Sequence, residues 1–379
     1  TSRRSPERRT NNLGRSCFPV RILYFSDGYT PHDHRYLRAM CSQGIEVFYL
    51  RVTAGHRTED RSLPEGVRAV GDLDGSPSIW QSALRVRSLL SSIQPDLVHA
   101  GPIYRPAFLV AINLYRPLVA MSWGSDLLID CSRGVRRLLA RFTLARSRFL
   151  ICDSDIVKET ARRLGAKGDR IVQFPYGVDL DLFDHSNQKT TPPVPLWSNY
   201  KILISTRNLE PLYDVDVLIR AFIQVAEDQH DLRLLVLGDG TQREVLESVV
   251  REAGMTDRAI FLGRIPNNEV PVYLQMADLF VTTSTSDGSS ISLLEAMASG
   301  LPVVASDIQA NREWVIGGRN GWLFPSGDSS LLAEVIREAV SDPDRLNRYG
   351  SASRAVAEAS ADWRNGSRLM LNTYRLAVE

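Results

Sequence analysis

Long apolar runs are missing from this sequence of 379 residues: none approaches the roughly 18 apolar residues that a membrane span requires. The first residues also lack the hydrophobic centre of a signal peptide. Cysteine is scarce and shows no paired spacing, at Cys17, Cys41, Cys131 and Cys152. This pattern argues against a disulfide framework and a zinc site and favours a reducing compartment. We therefore expect a cytoplasmic protein, in solution or at the inner face of the membrane, with no metal ion and no nucleic-acid partner.

Net charge is also small, +1, but it is unevenly distributed along the chain. Residues 1–190 contain 28 Lys and Arg against 19 Asp and Glu, whereas the remaining residues contain 17 against 25. We therefore predict an anionic or membrane-bound partner for the first half. Six arginines stand between apolar side chains in residues 132–149, at Arg133, Arg136, Arg137, Arg141, Arg146 and Arg148. Two interpretations stay open: a helix at a membrane surface, or a solvated helix whose arginines pair with nearby acids.

Strand patterns alternate with helix patterns from residue 20 onward, which is typical of parallel sheets covered by helices on both faces. In the first half we predict strands at residues 20–25, 46–52, 97–100, 118–122, 149–152 and 171–174. In the second half we predict them at residues 202–205, 232–237, 260–262, 279–283 and 302–306. The last helices, at residues 331–341, 343–359 and 363–378, have no strands between them.

This pattern predicts an α/β fold with two Rossmann-like, doubly wound domains that face each other across a cleft. The polar, Pro-rich residues 184–200 are the natural linker between them. We place the first domain at residues 18–190 and the second at residues 200–355. A flexible basic tail, residues 1–17, precedes them, and we expect residues 356–379 to pack back on the first domain as a helix.

Two acids, Asp287 and Glu295, stand eight positions apart around a Gly/Ser turn that is predicted to open a helix. The turn follows a predicted strand, and ligands of open sheets bind where strands end and helices begin. Turn amides and the positive helix end favour an anion, and the two acids can accept hydrogen bonds from hydroxyl groups. Ser292 and Glu295 have the spacing of a capping box. The segment therefore predicts a site for a sugar nucleotide, with phosphate in the middle and hydroxyl groups at both edges.

Histidines in the first half are candidates for the cleft. His32 and His34 stand in a polar loop directly after the first predicted strand. The alternative is a solvated turn in which Asp33 caps the next helix. His34 could act as a base only if it points inward. His99, at the end of an apolar strand, is as well explained by a structural role as by a catalytic one.

Other polar residues also follow predicted strands. Trp123 offers an aromatic platform for a sugar ring, and Asp126 offers a carboxylate or, equally, a cap for the next helix. In the second half, Arg207 follows a strand, where its planar fork of donors can face phosphate groups. Gly238 and Gly240 form a tight turn that could admit a ligand close to the backbone, although this motif alone is weak evidence.

Taken in order, these motifs resemble a retaining glycosyltransferase of the GT-B fold, in the large family numbered four. The resemblance covers about residues 20–378. The acid-x7-acid signature of that family reads here as Asp287 to Glu295, with Asp in place of the usual first Glu, followed by LLEAMASGLPVVAS. Further motifs of the family are FPYGVD, GDG, FLGRIPNNEVPVYLQMADLFV and NGWLFPSGD. Together they are strongly specific.

The resemblance implies that a UDP- or GDP-sugar donor binds mainly in the second domain and the acceptor in the first. It makes Asp287, on the sugar hydroxyls, and Arg207, on the phosphates, the catalytic candidates. It places the ribose on Glu295, and the base and diphosphate on Gly28, Gly238, Gly240, Arg264, Ile265, Gly288, Ser289, Ser290 and Ile291. No metal ion is implied, because basic side chains and helix-end amides neutralise the leaving diphosphate. The implied chemistry is front-face displacement with retention, in which the leaving phosphate helps to take the acceptor proton.

Three positions depart from the family pattern. Where a Lys commonly follows the Arg by five or six residues, this chain has Tyr213, which supplies no second cation. Where a His often approaches the donor sugar, it has Trp123. The usual paired-Gly loop is reduced to Gly28, which weakens its implied contact with the diphosphate. The residues expected at the cleft or the acceptor are His32, His34, Trp123, Asp126 and Tyr213.

The sequence therefore predicts transfer of a hexose-type sugar from a nucleoside diphosphate to an acceptor hydroxyl, in the synthesis of a cell-envelope glycan or glycolipid. A small soluble metabolite is the alternative acceptor. A sugar-nucleotide epimerase or phosphorylase on the same fold is a second alternative, and a non-catalytic scaffold that binds a sugar nucleotide is a third. The missing Lys and His favour the scaffold, but the two acids and Arg207 argue against it.

Overall fold

The computed structural model describes residues 21–53, 59–74, 78–184, 197 and 199–379. The predicted basic tail and most of the predicted linker lie outside these residues. The chain divides into two compact units. Unit 1 extends to Cys152 and includes Lys158–Gln173 and Ser367–Glu379, and unit 2 comprises Asp153–Val157 and Phe174–Gly366. The long segment of unit 2 thus begins at Phe174, before the predicted linker, and the last residues of the chain belong to unit 1.

Unit 1 contains a seven-stranded sheet in which every pair of neighbouring strands is parallel. The strand order is β3-β2-β1-β4-β5-β6-β7. The strands are β1 (Arg21–Ser26), β2 (Glu46–Arg51), β3 (Val67–Asp72), β4 (Leu97–Ala100), β5 (Leu118–Met121), β6 (Phe149–Cys152) and β7 (Ile171–Gln173). In register, Arg21 of β1 stands opposite Glu46 of β2.

Unit 2 contains a six-stranded parallel sheet in the order β10-β9-β8-β11-β12-β13. Its strands are β8 (Lys201–Ser205), β9 (Leu232–Leu237), β10 (Ala259–Gly263), β11 (Leu279–Thr282), β12 (Val303–Ser306) and β13 (Gly321–Phe324). The order reverses between β8 and β11, as it does between β1 and β4 in unit 1. Each unit therefore has the doubly wound order in which ligands bind at the reversal.

Helices connect most of the strands, as expected for parallel pairs, whose crossovers need a dozen or more residues. They are α1 (Pro31–Cys41), α2 (Ile79–Ile93), α3 (Phe108–Ile112), α4 (Gly134–Arg146), α5 (Asp155–Arg163), α6 (Val215–Ala226), α7 (Arg243–Glu252), α8 (Val270–Met276), α9 (Ile291–Ala298), α10 (Gln309–Arg312), α11 (Ser329–Val340), α12 (Pro343–Ser360) and α13 (Trp363–Val378). Single turns of other helix types occur at Ile103–Ala107, Asp126–Asp130, Gly168–Arg170 and Pro211–Tyr213.

The unit 2 sheet is buried on both faces. Leu203 and Leu234 pack in one apolar layer with Phe222 of α6. Ile204, the next residue of β8, packs in the other layer with Leu294 of α9. Successive side chains of a strand point to opposite faces, so a strand covered on both sides reads as a continuous apolar run. This explains why such strands are predictable from the sequence alone.

Eleven predicted strands lie within one residue of their observed bounds, whereas β3 and β13 were not predicted. Both are edge strands. No residue of β3 is buried, and two of its residues are charged, whereas β13 is apolar and mostly buried. An edge strand has one hydrogen-bonded neighbour and needs less apolar sequence, which explains the weak pattern of β3. Nothing comparable explains why β13 was missed.

Candidate functional site

The site of unit 2 lies where the strand order reverses. Arg207 follows β8, and Asp287 follows β11, the neighbouring strand. Arg207 Nη2 donates to Asp287 Oδ2 at 2.6 Å, although 80 residues separate them. The fold therefore joins the two catalytic candidates at the position where open sheets bind ligands.

Arg207 is the centre of this site. Its Nη1 donates to the hydroxyl oxygens of Ser290 and Ser292, both at 2.8 Å. The side chain is buried, and its Nε has no hydrogen-bond partner among the described residues. A buried donor without an acceptor is costly in a folded protein, so the site retains hydrogen-bonding capacity that its own side chains do not satisfy.

The aromatic ring of Tyr213 packs against the guanidinium of Arg207. The Cζ atom of Arg207 lies over the Tyr213 ring, 4.0 Å from the ring centroid. The backbone of this turn is held in place, because Thr283 Oγ1 donates to the Tyr213 carbonyl at 2.8 Å and Thr285 N donates to the Leu212 carbonyl at 3.0 Å. Tyr213, expected at the cleft or the acceptor, thus contacts the arginine of unit 2.

The turn between the two acids caps α9. Ser290 is the N-cap residue, and its hydroxyl accepts from Leu293 N at 3.4 Å. The predicted capping box of Ser292 and Glu295 is wrong, because the helix already begins at Ile291. The Ser292 hydroxyl receives Arg207 instead. The N–H groups of the first helical turn have no intrahelical acceptor, which leaves this end suited to an anion.

Asp153, which the sequence analysis did not select, holds the same turn. Its Oδ2 accepts from Ser289 N at 2.7 Å, and its carbonyl accepts from Ser289 Oγ at 2.7 Å. A Cβ atom on Gly288 would lie 2.3 Å from Asp153 Oδ2, so a larger residue there would displace the Asp153 carboxylate. Asp153 directly follows β6, and this position at a strand end was the signal available in the sequence.

Glu295 is also held by a residue that was not predicted. Asn267 Nδ2 donates to Glu295 Oε1 at 2.9 Å, and Glu295 is buried. Asn267 lies in the loop after β10 that begins with Arg264 and Ile265. The loop proposed for the base is therefore next to the acid proposed for the ribose.

Gly238 and Gly240 have a structural explanation. A Cβ atom on Gly238 would lie 2.3 Å from the carbonyl oxygen of Arg207, and one on Gly240 would lie 2.4 Å from that of Leu209. Gly238 also has φ +148°, a conformation that favours glycine. The turn is glycine-rich because it packs on the backbone of the Arg207 loop, and it thereby positions Arg207.

The histidine candidates of unit 1 contact other side chains of that unit. His34 is buried, and its Nδ1 contacts the Tyr29 hydroxyl at 2.7 Å. His32 Nδ1 contacts Arg35 Nη2 at 2.9 Å, and its ring centroid lies 5.7 Å from that of Trp123. Burial lowers the pKa of both histidines. Both rings are therefore neutral at physiological pH.

Asp126 and Gly28 also have structural contacts within unit 1. The Asp126 carboxylate is buried and accepts from Ser122 Oγ and from three backbone N–H groups, those of Ile103, Trp123 and Leu127. Burial raises its pKa to about 6, although these donors oppose the shift. The Gly28 carbonyl accepts the Tyr49 hydroxyl. Asp33 completes a capping box with Thr30, the N-cap of α1.

Within the described ranges, no group of three or more His, Cys, Asp or Glu side chains is arranged to hold a metal ion. The described helices also include none that combines the length and the apolar character needed to cross a bilayer.

Two family descriptions match most of the chain. Residues 27–177 match the glycosyl transferase 4-like domain, and residues 187–356 match the glycosyl transferases group 1. A phosphatidyl-myo-inositol mannosyltransferase of Mycobacterium leprae is 30% identical over 354 residues, which cover 89% of this chain and 89% of that protein. A D-inositol 3-phosphate glycosyltransferase of Nocardia farcinica is 30% identical over 58% of this chain, and the match spans 51% of its length.

Solved structures show the same fold. The Anabaena protein HepE, in complex with UDP and glucose, has a TM-score of 0.79 at 20% identity, covering 94% of this chain and 100% of that chain. Sucrose-phosphate synthase from Thermosynechococcus elongatus has a TM-score of 0.77 at 18% identity, covering 94% and 98%. The GT-B prediction, two Rossmann-like domains, is confirmed. On the strength of the long mannosyltransferase match and the two domain matches, this chain belongs to the group 1 glycosyltransferases.

Proposed function

We propose that this chain is a retaining glycosyltransferase that moves a sugar from a nucleoside-diphosphate sugar to an acceptor hydroxyl. The observation that carries the proposal is the Arg207 guanidinium. It is oriented by Asp287, Ser290 and Ser292 at the first turn of α9, and its buried Nε has no hydrogen-bond partner among the described residues. A buried arginine beside the amino end of a helix is suited to a diphosphate.

Neighbouring residues contact the other parts of the donor. Asp287 accepts hydrogen bonds from sugar hydroxyls, and Glu295, oriented by Asn267, accepts them from the ribose. The backbone at Arg264 and Ile265 contacts the base. Two acids with a cation between them match a ligand that has hydroxyl groups on both sides of a diphosphate.

In the proposed reaction, the acceptor oxygen bonds to the anomeric carbon on the face from which the nucleoside diphosphate leaves. The bond between that carbon and the phosphate oxygen breaks, and a phosphate oxygen takes the acceptor proton. Arg207 and the α9 amides neutralise the charge that develops on the leaving group. The reaction uses no metal ion, because this positive charge lies where a cation would otherwise act.

Named relatives support the donor class. One structural neighbour was solved in complex with UDP-glucose, and one relative from Mycolicibacterium smegmatis is named as GDP-mannose-dependent. A UDP- or GDP-sugar is therefore the proposed donor. The relative from Mycobacterium leprae is named for phosphatidyl-myo-inositol, and one from Streptococcus pneumoniae for a diacylglycerol product. We propose a lipid-linked acceptor in envelope glycan or glycolipid synthesis.

Helix α4 is the proposed contact with the membrane, at its cytoplasmic face. Val135 and Leu138 are about two thirds exposed, at 70% and 65%, and share one helix face. Arg136 pairs with Asp130 at 3.0 Å, so the solvated-helix interpretation holds for this one arginine. Exposed apolar side chains between arginines are suited to the interface of an anionic bilayer.

The test is donor turnover in the presence of a chelator. The protein is incubated with UDP- and GDP-sugars without acceptor, and proton NMR follows the free sugar and its anomer. We expect slow hydrolysis of one donor, with the first anomer matching that of the donor, and loss of turnover in Arg207→Gln. An inverted first anomer would exclude retention. Binding of a sugar nucleotide without turnover would indicate a scaffold, and conversion to another sugar nucleotide would indicate an epimerase.

A further inference from the structure

An arginine-lined pocket lies at the amino edge of the unit 1 sheet, opposite the strand ends that precede Trp123. It has a volume of about 390 Å³ and is lined by four arginines: Arg116, Arg146, Arg148 and Arg170. Arg116 stands two residues before β5, Arg148 directly precedes β6, and Arg170 directly precedes β7. These strands are neighbours in the sheet. The fold therefore gathers arginines that are up to 54 positions apart, counted from 116 to 170.

Little negative charge balances this pocket. Arg116, Arg146 and Arg170 form no ion pair within the part of the chain that the structure describes. Arg148 donates to the Leu376 carbonyl at 3.5 Å, and Glu379 is the acid of the lining. Like charges in a concave surface repel each other, so an anion there would be strongly attracted.

One arginine has a donor that the protein leaves unsatisfied. The Nε of Arg146, the last residue of α4, is buried and has no hydrogen-bond partner among the described residues. The same situation marks Arg207 in unit 2. A guanidinium presents its donors in a planar fork that matches the oxygens of a phosphate group, so an arginine that lines a pocket and lacks an ion pair favours that class of ligand.

The surroundings of the arginines extend the site. A second pocket of about 120 Å³ shares Ala145, Ser147 and Arg170 with the first and adds Lys167. Pro117, Ala145, Ala377 and Val378 also line the larger pocket and give it an apolar part. Its volume exceeds that of one phosphate ion, so a phosphate group with an attached apolar or neutral portion fits it best.

We propose that this pocket binds a phosphate-bearing ligand at a site separate from the donor site. The phosphate contacts Arg146 and Arg170, and the remainder of the ligand lies against the apolar wall. The source of the phosphate is an anionic lipid head group or a soluble phosphate ester. None of the residues involved belongs to the proposed donor site, so this inference does not depend on the proposed function.

The test uses calorimetry with inorganic diphosphate as the probe. Because diphosphate could also bind at Arg207, all variants carry Arg207→Gln. The pocket pair is Arg146→Gln with Arg170→Gln. The control pair, Arg87→Gln with Arg163→Gln, removes the same charge from exposed arginines of unit 1. We expect the control pair to bind and the pocket pair to lose about tenfold or more in affinity, since each lost contact is a charge-assisted hydrogen bond.

Equal affinity in the two pairs would overturn the proposal, and so would a control pair that fails to bind. If the pocket pair does not fold, as judged by circular dichroism, Arg146→Lys with Arg170→Lys replaces it. This pair keeps the charge but lacks the planar fork, so a smaller loss is expected, and affinity equal to that of the control would again overturn the proposal. Donor hydrolysis by the unmodified chain is measured separately, so failure of the proposed function remains distinguishable.

Vesicles distinguish the two sources of the phosphate. Binding is measured on phosphatidylcholine vesicles with and without phosphatidylglycerol. Lower binding of the pocket pair than of the control pair, on the anionic vesicles alone, supports the pocket with a lipid head group as its ligand. Equal vesicle binding combined with weaker diphosphate binding supports the pocket with a soluble phosphate ester as its ligand.

Discussion

The guanidinium of Arg207 lies over the ring of Tyr213, with 4.0 Å between Cζ and the ring centroid. Tyr213 stands where the family resemblance places a Lys, so a neutral ring has taken the position of a second cation. The ring fixes one face of the guanidinium, while Asp287 and Ser290 fix its edge. Donor phosphates would therefore meet one well-oriented cation at this position.

The first prediction concerns the ring of Tyr213. Tyr213→Leu removes a cation-π contact of roughly 0.5 to 2 kcal/mol, so we expect the affinity for UDP or GDP to fall about 2- to 30-fold. Tyr213→Phe keeps the ring and should retain most of the affinity in calorimetry. The matched control is Tyr200→Leu, because Arg233 lies over the Tyr200 ring at 3.7 Å elsewhere in unit 2. Equal losses in the Phe and Leu variants would assign the effect to the hydroxyl group instead.

Asn267 provides a prediction about the ribose. Asn267→Ala removes the hydrogen bond that orients Glu295, and we expect weaker nucleoside-diphosphate binding, with a larger loss in Glu295→Ala. A hydrogen bond to a charged group contributes roughly 1.5 to 3 kcal/mol, so Glu295→Ala should cost about tenfold or more. Affinity for a 2′,3′-dideoxy nucleoside diphosphate should be unchanged in both variants. If the dideoxy compound loses affinity equally, Glu295 does not read the ribose.

Gly238 yields a stability prediction with an internal control. Gly238→Ala would place Cβ 2.3 Å from the Arg207 carbonyl oxygen, in a backbone conformation with φ +148°. Gly254→Ala has φ +69° but no atom within 4 Å of the new Cβ. Backbone strain costs roughly 1 to 3 kcal/mol at such positions, and the contact adds to it at Gly238 alone. Urea unfolding should show the larger loss for Gly238→Ala, together with weaker nucleoside-diphosphate binding, and equal losses would contradict the packing argument.

His99 predicts how stability depends on pH. It is fully buried, its Nδ1 contacts the Tyr374 hydroxyl, and burial lowers its pKa from 6.5 to about 3. In the unfolded chain His99 therefore takes up a proton near pH 6.5, whereas in the folded chain it does so only near pH 3. The contribution of neutral His99 to the free energy of unfolding is fully present above pH 6.5. It is lost as the pH falls below 6.5, at up to about 1.4 kcal/mol per pH unit.

The measurement is the free energy of unfolding between pH 7 and pH 5, for the unmodified chain and for His99→Asn. We expect the unmodified chain to lose about 2 kcal/mol more over this range than the variant. His99→Asn should be less stable at pH 7, because it alters packing around Tyr374, but its pH dependence should be flatter. Parallel pH profiles would show that His99 takes up its proton equally in both states.

Helix α4 leads to a prediction about membrane contact. Val135→Gln with Leu138→Gln should weaken binding to vesicles that contain phosphatidylglycerol, since both exposed apolar side chains are lost from the interface. Val245, 62% exposed on α7 of unit 2, is the matched control, and Val245→Gln should bind vesicles normally. Donor hydrolysis should survive in all variants. Unchanged vesicle binding in the α4 pair would leave the solvated-helix interpretation of this segment.

Several parts of the site were predictable because they depend on local pattern. Asp287 lies in the loop that connects the apolar strand β11 to α9, Glu295 lies in α9, and Arg207 follows β8. Strands that are buried on both faces are continuous apolar runs, so their ends, and the loops that follow, can be located from the sequence. The edge strand β3 lacks such a run, which explains why it was not predicted.

The sequence by itself determined the two doubly wound domains and the family, because apolar periodicity and short motifs are local properties of the chain. Only the tertiary structure decided that Tyr213 supports Arg207, that Asp153 holds the Ser289 amide, and that Asn267 orients Glu295. The last two pairs are 136 and 28 positions apart, counted from their residue numbers, and no pattern in the sequence connects them. Parallel strands bring their carboxyl ends to one edge of the unit 2 sheet, so the distant loops of Arg207, Asn267 and Asp287 become neighbours there. Asp153 follows a strand of the other sheet, so its contact with Ser289 depends on tertiary packing alone.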